Sequence, residues 1–247
     1  MRSLLTALAA LACLLLAPAA RADEPPAFTP AQRAAIVKIL REALTSDPSI
    51  LRDAVIALQQ DESDIKEAAM REAIGKVAPS LTQVPGDPAA GNPQGDVTVV
   101  EFYDVRCPYC RRMLPVVADL LRGDPKIRLI YKDIPILGAA SVLGAKAMLA
   151  SQRQGGYQRL HDIVMAGPPS LTEDSLHADA LHAGLDWDRL KRDMADPAIE
   201  QRLDRNLDLA HALGIDGTPA YVIGARLLPG AVELADLRAA VAQARAR

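Results

Sequence analysis

The chain has 247 residues, of which 50% are apolar and 24% are charged, and its formal net charge is −3 at pH 7. This composition excludes an intrinsically disordered or collagen-like protein. The lack of a positive net charge argues against a nucleic-acid-binding protein, because such proteins gain much of their affinity by neutralising phosphates. With three cysteines, the chain cannot be a disulfide-dense scaffold either.

Residues 1–22 are predicted to be a cleaved secretory signal peptide. A positively charged start precedes an almost wholly apolar run at residues 4–16, and Ala20 and Ala22 have the spacing of a cleavage site. The alternatives are a membrane anchor, for which this run is shorter than the ~20 residues required, and a lipoprotein anchored at Cys13. We therefore expect cleavage near Ala22, with Cys13 lost from the exported chain.

Two helices are predicted in the amino-terminal region, residues 23–78. Thr29 is placed to cap the first helix, with Pro30 at the first helical position and Gln32 completing a capping box. Asp47-Pro48 ends this helix and begins the next. The second helix carries a weak heptad stripe of apolar residues: Leu51, Val55, Leu58, Ile65 and Ala69. This stripe could pack locally as a helical hairpin or form a self-association surface.

Residues 79–95 are rich in proline and glycine, which predicts a linker to a domain spanning 96–247. In that domain, a strand pattern covers 97–103, a helix follows Cys107, and a second strand begins at Ile127. Such a strand–helix–strand segment gives a right-handed crossover between parallel strands.

Helical patterns then dominate residues 139–213, before two short strands from Ala220 and Arg226 and a final helix from about Val232. The order of these elements predicts an α/β fold with a helical insertion at about 139–213. Pro115 lies within the first helix of this domain and is expected to kink it.

Once the signal peptide is removed, Cys107-Pro108-Tyr109-Cys110 contains the remaining cysteines. The motif lies where a strand leads into a helix, so unpaired backbone N–H groups and the helix dipole favour a thiolate at Cys107. Cys110, one turn into the helix, should be more buried and able to attack a mixed disulfide formed at Cys107. Three arginines add positive charge that acts in the same direction: Arg106, Arg111 and Arg112.

Three other interpretations of the two thiols compete with redox activity. A structural disulfide across so short a loop would constrain little of the unfolded chain. Zinc would need two more ligands, and the four histidines lack ligand spacing and are expected at the surface. Two thiolates do suit Cu(I), so copper binding through Cys107 and Cys110 stays open as an alternative, although the methionines are scattered along the chain.

Two further positions favour the redox interpretation. Glu101 lies six residues before Cys107, and strand alternation places it on the inner face, where a buried carboxylate would have a raised pKa and could accept the proton of Cys110. A solvent-exposed strand-edge position for this residue is the alternative. Thr218-Pro219 could hold a cis peptide bond, although trans is the commoner isomer. A cis-proline loop beside the thiols would offer backbone groups to an extended substrate segment.

Residues 101–110, EFYDVRCPYC, resemble the active-site segment of DsbA-like thiol:disulfide oxidoreductases. Pro115 fits the kink proline of thioredoxin-fold helices, and residues 217–220, GTPA, resemble the cis-proline loop of that family. The predicted helices at 139–213 lie where the family inserts its helical domain. Upstream, residues 28–60 resemble the amino-terminal region of the copper-sensitivity suppressor (ScsC-type) branch.

The resemblance implies a thioredoxin fold with a helical insertion, preceded by an amino-terminal helical region. It implies that Cys107 is the nucleophile, Cys110 the resolving thiol and Glu101 the proton-transfer carboxylate. It also implies that Thr218 and a cis Pro219 lie at the substrate groove. Pro108 and Tyr109 form the active-site dipeptide, and the best-known DsbA proteins have histidine where this chain has Tyr109. Since a histidinium stabilises the thiolate, we expect a weaker oxidant than those proteins.

The same resemblance carries expectations about cofactors, partners and location. It implies a periplasmic enzyme whose redox group is the Cys107–Cys110 disulfide, with no dissociable cofactor. Its substrates would be exported proteins with thiols or disulfides, and a membrane redox partner would reset the cysteine pair. The motif leaves open whether the protein acts as an oxidase or as an isomerase or reductase. A homo-oligomer formed through the amino-terminal helices and a monomer are both open.

Overall fold

The computed structural model describes residues 28–246. The predicted signal peptide, its cleavage point near Ala22 and Cys13 therefore lie outside the described residues. Within the described range, none of the helices is both long and apolar enough to cross a membrane. The chain divides into two compact units, one ending at Asp61 and the other beginning at Glu62.

The two predicted amino-terminal helices are confirmed as α1 (Pro30–Ser46) and α2 (Ser49–Thr82). Thr29 caps α1 as predicted. Its hydroxyl accepts a hydrogen bond from the Gln32 N–H (3.3 Å), and the Gln32 side chain accepts one from the Thr29 N–H (2.9 Å). Asp47 ends α1 and accepts a hydrogen bond from the first N–H of α2 (3.1 Å). α1 contains no buried residue, so its apolar side chains are in contact with solvent.

Among the described residues, those from Glu62 onward form a five-stranded sheet with helices on both faces. Its elements after α2 are β1 (Ala89–Gly91), β2 (Val97–Tyr103), α3 (Pro108–Gly123), β3 (Ile127–Asp133), α4 (Ala139–Ser151), α5 (Tyr157–Ala166), α6 (Glu173–His182), α7 (Trp187–Met194), α8 (Pro197–Ala212), β4 (Ala220–Ile223), β5 (Arg226–Pro229) and α9 (Leu234–Arg245).

The strand order is β1-β3-β2-β4-β5, with β2 and β3 parallel and the other neighbours antiparallel. The predicted crossover β2–α3–β3 and the helical insertion, α4 to α8 between β3 and β4, are confirmed. Pro115 lies inside α3. The central strand β2 therefore ends beside the cysteine motif, with one neighbour from each half of the domain.

Successive residues of β2 face two different apolar clusters, because side chains alternate along a strand. Val99 and Tyr103 pack in the cluster that contains α3, the insertion and α9, whereas Val100 and Phe102 pack in the cluster that contains the end of α2. Glu101 shares the face of Val99 and Tyr103, as predicted. This is also the face on which α3 and the cysteines lie.

The segment 79–95 differs from the predicted linker. α2 continues past Pro79 to Thr82, and β1 pairs with the edge of β3. Asp87 is buried in an ion pair with Lys132 (Oδ2–Nζ 2.6 Å). Proline and glycine predict an irregular segment from local preferences, but here tertiary contacts determine the structure, because the buried ammonium of Lys132 requires a partner.

Candidate active site

The cysteine motif lies between a strand and a helix, as the sequence predicts. Cys107 is the N-cap residue of α3 with an extended backbone (φ −68°, ψ 120°), and Pro108 occupies the first turn. Both thiols are free and buried, with Cys107 4% and Cys110 1% exposed. The first thiol therefore lies at a helix N-terminus, where backbone N–H groups are unpaired, and the second lies more deeply inside the turn.

Hydrogen bonds lower the pKa of Cys107 to about 5. The largest cause is the hydrogen bond from the Cys110 thiol, and the side chain of Thr218 and the N–H groups of Cys110 and Tyr109 act in the same direction against the effect of burial. Burial, together with the same contact to Cys107, raises the pKa of Cys110 far above its ordinary value. The two thiols therefore differ sharply in acidity, and Cys107 is the thiolate at neutral pH.

The three neighbouring arginines are not among the main causes of the lowered pKa of Cys107, which are hydrogen bonds. Arg111 donates from Nη1 to carbonyl oxygens at the end of α5, Val164 (2.8 Å) and Gly167 (2.6 Å) among them. Arg106 donates to the carbonyl oxygen of Leu137 (2.8 Å). The Arg111 guanidinium thus holds the end of α5 against the active-site segment, and the Arg106 guanidinium holds the loop that leads from β3 into the helical insertion.

The third arginine, Arg112, lies over Tyr109, the second residue of the active-site dipeptide. The Arg112 guanidinium carbon is 4.2 Å from the centroid of the Tyr109 ring, which is a cation–π contact. The Tyr109 side chain is 53% exposed. The Tyr109 side chain therefore forms part of the surface around the thiols, and this residue stabilises the thiolate through its backbone N–H and not through its ring.

Asp104 fixes the loop before the motif, and the sequence analysis did not identify it. Its carboxylate is buried and accepts hydrogen bonds from the N–H of Arg106 (2.8 Å), the hydroxyl of Ser141 (2.8 Å) and the N–H of Leu137 (3.0 Å). A buried carboxylate needs such partners. Two of these partners, Ser141 and Leu137, are more than 30 residues away in sequence, so no local pattern could have indicated these contacts.

The peptide bond between Thr218 and Pro219 is cis, which decides between the two isomers that the sequence left open. The loop lies directly beside the first thiol, because the carbonyl oxygen of Thr218 is 3.2 Å from Cys107 Sγ and accepts a hydrogen bond from the thiol when Cys107 is protonated. The Pro219 carbonyl oxygen accepts a hydrogen bond from the N–H of Gly230 (2.8 Å), which joins the loop to the end of β5. The structure thus brings residues 107 and 218, far apart in sequence, into contact.

Glu101 is 6% exposed, so the solvent-exposed alternative is wrong. Burial raises the pKa of its carboxyl group to about 7, and a hydrogen bond from the Tyr221 hydroxyl (2.9 Å) partly opposes this effect. Glu101 also lines a cavity of about 370 Å³ that is bordered by α3 and by His161 and Asp162 of α5. A carboxyl group with this pKa can accept or donate a proton near neutral pH.

Tyr221 is a second residue that the sequence analysis missed. It lies two residues after Pro219 and pairs in register with Glu101 across β2 and β4. The only signal in the sequence is a tyrosine on a short, otherwise apolar strand. That signal would have been informative only if the pairing of β2 with β4 had been known.

One of the histidines does not lie where the sequence predicts. His161 is buried, with its ring centroid 4.8 Å from that of Tyr131, so the predicted surface position is wrong for this residue. Side-chain packing with three tyrosines replaces solvent around the ring. In the described part of the chain, no group of three or more His, Cys, Asp or Glu residues could hold a metal ion. The copper alternative therefore has no support beyond the two thiols themselves.

Comparisons with known proteins place this geometry in a family. Residues 98–242 match the family described as "DSBA-like thioredoxin domain". A thioredoxin-like oxidoreductase from Silicibacter pomeroyi is 42% identical, with a TM-score of 0.67 over 68% of this chain and 98% of that one. ScsC from Proteus mirabilis, crystallised in a transitional conformation, is 29% identical, with a TM-score of 0.65 over 89% of this chain and 98% of that one.

A curated relative is much longer than the matched segment. The Na(+)/H(+) antiporter NhaA 3 of Salinispora tropica is 31% identical over 167 residues, which are 65% of this chain and 26% of that protein. The chain thus spans about a quarter of the length of this relative. The family match covers more than half of the 247 residues and includes the cysteine motif and the cis-proline loop. This protein therefore belongs to the family of DsbA-like thioredoxin-domain proteins, within which it is also similar to ScsC.

Proposed function

We propose that this protein is an exported thiol:disulfide oxidoreductase that exchanges disulfides with protein substrates through Cys107 and Cys110. The observation that carries the proposal is the contrast between the adjacent thiols, since the pKa of Cys107 is lowered to about 5 and that of Cys110 is raised. Thiolates are the nucleophiles of disulfide exchange. Cys107 is therefore the attacking group and Cys110 the resolving group, which agrees with membership of the family.

In the reductive direction, the Cys107 thiolate attacks a substrate disulfide. A bond forms between Cys107 Sγ and one substrate sulfur, and the other substrate sulfur leaves as a thiolate. Cys110 then loses its proton and attacks Cys107 Sγ, which forms the Cys107–Cys110 disulfide and releases the second substrate thiolate. Two electrons pass to the substrate. In the oxidative direction the same steps run in reverse, and two electrons pass from the substrate thiols to the cysteine pair.

Glu101 is the group we assign to the proton of Cys110. Because burial raises the pKa of Cys110 far above neutrality, the thiol needs a base when it attacks and an acid when it leaves. Glu101, with a pKa of about 7, is present in both forms at neutral pH. It can therefore serve both directions of exchange.

Thr218 and Pro219 are the backbone elements we assign to substrate binding. Their loop lies against the nucleophile, with the Thr218 carbonyl oxygen 3.2 Å from Cys107 Sγ. An extended substrate segment laid along this loop would bring its sulfur to Cys107 by strand-like hydrogen bonding. The exposed ring of Tyr109 lies on the same surface and would contact the substrate as well.

We place this activity in the periplasm, on the basis of the predicted signal peptide at residues 1–22 and of the similarity to ScsC. The redox group is the Cys107–Cys110 pair, without a dissociable cofactor. A membrane redox partner would return the pair to its starting state after each cycle. Substrates would be exported proteins that carry thiols or disulfides.

The first experiment is the equilibrium of the mature chain with glutathione buffers, measured as the reduction potential of the cysteine pair. A value above about −160 mV would indicate a disulfide donor, and a value near or below about −200 mV would indicate a pair kept reduced for isomerisation or reduction. Cys110→Ser should accumulate a mixed disulfide at Cys107, and Cys107→Ser should form none. A wild-type pair that does not exchange with glutathione would contradict the proposal.

We also propose that the amino-terminal helices form a homo-oligomer. Residues 28–61 carry an unusual concentration of exposed apolar side chains, and soluble proteins rarely leave such patches uncovered. Seven of these side chains are 39–64% exposed: Ile36, Ile39, Leu40, Leu44, Leu51, Val55 and Leu58. A second copy of the same segment is an occupant of matching chemistry, and three of these residues belong to the predicted heptad stripe.

Light scattering after size exclusion tests the oligomer in the full mature chain. Leu51→Gln combined with Val55→Gln should reduce the mass to that of one chain, because both side chains are exposed within their own unit and their replacement should leave its helices intact. Arg52→Ala combined with Gln59→Ala, on the same helix, is the matched control and should leave the mass unchanged. A monomeric wild-type protein would contradict this proposal.

A further inference from the structure

We propose that Tyr221 is a positioning residue of the exchange reaction, whose hydroxyl holds the Glu101 carboxylate in its proton-accepting form and so sets the pH at which Cys110 can react. This inference rests on the proposed function and adds a residue to it. Tyr221 itself touches neither the substrate nor the reacting sulfur in this role. It acts through Glu101.

The contact is a buried cross-strand pair. Tyr221 of β4 and Glu101 of β2 are register partners, and their side chains lie on the same face of the sheet. The Tyr221 hydroxyl donates to Glu101 Oε1 at 2.9 Å, and the two residues are 0% and 6% exposed. In the described part of the chain, no other side chain hydrogen-bonds to this carboxylate.

The direction of the effect follows from the chemistry of the donor. A phenol that donates to a carboxylate stabilises the ionised form, and hydrogen bonds to charged groups are stronger than those between neutral groups. Burial acts in the opposite direction and raises the pKa of Glu101 to about 7. Without the hydroxyl, burial would act unopposed, and the carboxyl group would stay protonated to a higher pH.

Tyr131 provides a natural comparison within the same sheet. It is the register partner of Glu101 on the other side, in β3, and is also buried (4% exposed). Its hydroxyl does not hydrogen-bond to Glu101. The carboxylate is thus flanked by two phenols of similar burial, of which one is a hydrogen-bond donor to it.

Tyr221 also lies close to the redox pair. Negative charge on Glu101 and on Cys110 adds to the effect of burial in raising the pKa of the Tyr221 phenol. The phenol therefore lies within electrostatic range of both the proton acceptor and the proton donor. It stays protonated throughout the neutral range and can act as a hydrogen-bond donor at every pH at which the exchange runs.

The other titratable groups around Glu101 are identified by the elements that pack against it. They are Tyr131 from β3 and His161 and Asp162 from α5, and Cys110 of α3 lies within electrostatic range of Tyr221. A Tyr221→Phe substitution leaves all of them in place. Any shift in the pH profile would therefore report the loss of one hydroxyl group.

The test measures the resolving step in the full mature chain. Reduced protein is mixed with excess glutathione disulfide, and the conversion of the Cys107–glutathione mixed disulfide to the Cys107–Cys110 disulfide is followed by acid quench and mass spectrometry over pH 5 to 9. In Tyr221→Phe we expect the midpoint of this profile to rise by about one pH unit. Below the wild-type midpoint the rate should fall about tenfold, and well above it the two rates should converge.

Two controls separate this inference from the proposed function. Tyr131→Phe should leave the midpoint unchanged. Glu101→Gln should remove the titration altogether, and a profile that survives in Glu101→Gln would show that Glu101 is not the base, which overturns the assignment on which the inference depends. An unchanged midpoint in Tyr221→Phe, with the titration abolished in Glu101→Gln, would overturn the role of Tyr221 alone.

A second replacement keeps the test valid if Tyr221→Phe does not fold. Replacing Tyr221 by 2,3-difluorotyrosine retains the hydroxyl and nearly the same volume but makes the phenol a stronger donor. The midpoint should then move to lower pH, opposite to the shift in Tyr221→Phe. A midpoint that stays in place would contradict the inference.

Discussion

The lowered pKa of Cys107 makes a quantitative prediction about the stability of the reduced protein. The pKa in the folded protein is about 5, against an ordinary value of 9.0. A thiol whose pKa is lower in the folded than in the unfolded protein stabilises the folded state. This stabilisation is complete at pH values above the ordinary thiol pKa, and it is lost as the pH falls through the pKa of the thiol in the folded protein. At pH 7, two pH units above the folded value, the thiolate should contribute roughly 2 to 3 kcal/mol, at about 1.4 kcal/mol per unit.

The perturbation is a decrease in pH from 7 to 4, applied to the reduced wild-type chain and to Cys107→Ser. Urea unfolding should show that the free energy of unfolding of the wild type falls by roughly 2 to 3 kcal/mol more than that of the variant. Other titrating groups are shared by the two proteins and cancel in the difference. The ultraviolet absorbance of the thiolate provides an independent titration of Cys107, with Cys107→Ser, which lacks this thiolate, as its control.

Two outcomes would refute this reasoning. An absorbance midpoint near the ordinary thiol value would show that the hydrogen bonds from Cys110 and Thr218 do not stabilise the thiolate. Equal pH dependence of unfolding in the wild type and Cys107→Ser would show that the thiolate contributes nothing to the folded state. In Cys110→Ser the titration midpoint should rise if the Cys110 thiol is the main donor, because a hydroxyl is shorter and places its proton differently.

Three further predictions concern the surroundings of the motif. Tyr109→His should make the pair more oxidising by about 30 mV for each tenfold stabilisation of the thiolate, whereas Tyr109→Phe should not; glutathione equilibria measure both. Arg111→Ala should lower the free energy of unfolding by about 1 to 3 kcal/mol, since it leaves the partly buried Val164 carbonyl group of α5 without this donor; unchanged urea unfolding would contradict this. Asp87→Asn should cost about 3 to 5 kcal/mol by leaving the Lys132 ammonium buried and unpaired, and Lys132→Met in the same chain should restore much of the loss.

The features of the site that could be predicted from the sequence are those that depend on residues close together in the chain. The position of Cys107 at the start of a helix follows from the strand pattern before the motif and the helical pattern after it. The inner-face position of Glu101 follows from the alternation of side chains along β2. The order of elements, with a helical insertion between β3 and β4, was equally predictable, because Gly, Pro or Asp residues separate the helices in the sequence. Local signals of this kind need no knowledge of the tertiary structure.

The parts that could not be predicted depend on long-range pairing. Tyr221 meets Glu101 across 120 positions of sequence, and β1 forms only because an edge of β3 is available. Arg111 is an electrostatic neighbour of Cys110, but its hydrogen bonds to carbonyl groups of α5 could not be foreseen. In each case the side chain could make several contacts, and the tertiary structure selects one of them.

The pKa values of the two thiols are shifted in opposite directions. The shift of Cys107 affects the equilibrium of disulfide exchange, and the shift of Cys110 affects its rate. At pH 7, a Cys107 pKa of about 5 instead of 9.0 favours the reduced pair about 100-fold, which makes the disulfide more oxidising by about 60 mV than an unperturbed pair. The raised pKa of Cys110 adds nothing to this potential, because an ordinary thiol is already protonated at pH 7. It instead slows the attack of Cys110 on a mixed disulfide, which makes the resolving step dependent on a base. The potential should therefore respond to changes around Cys107, and the rate of resolution to changes at Glu101 and Tyr221.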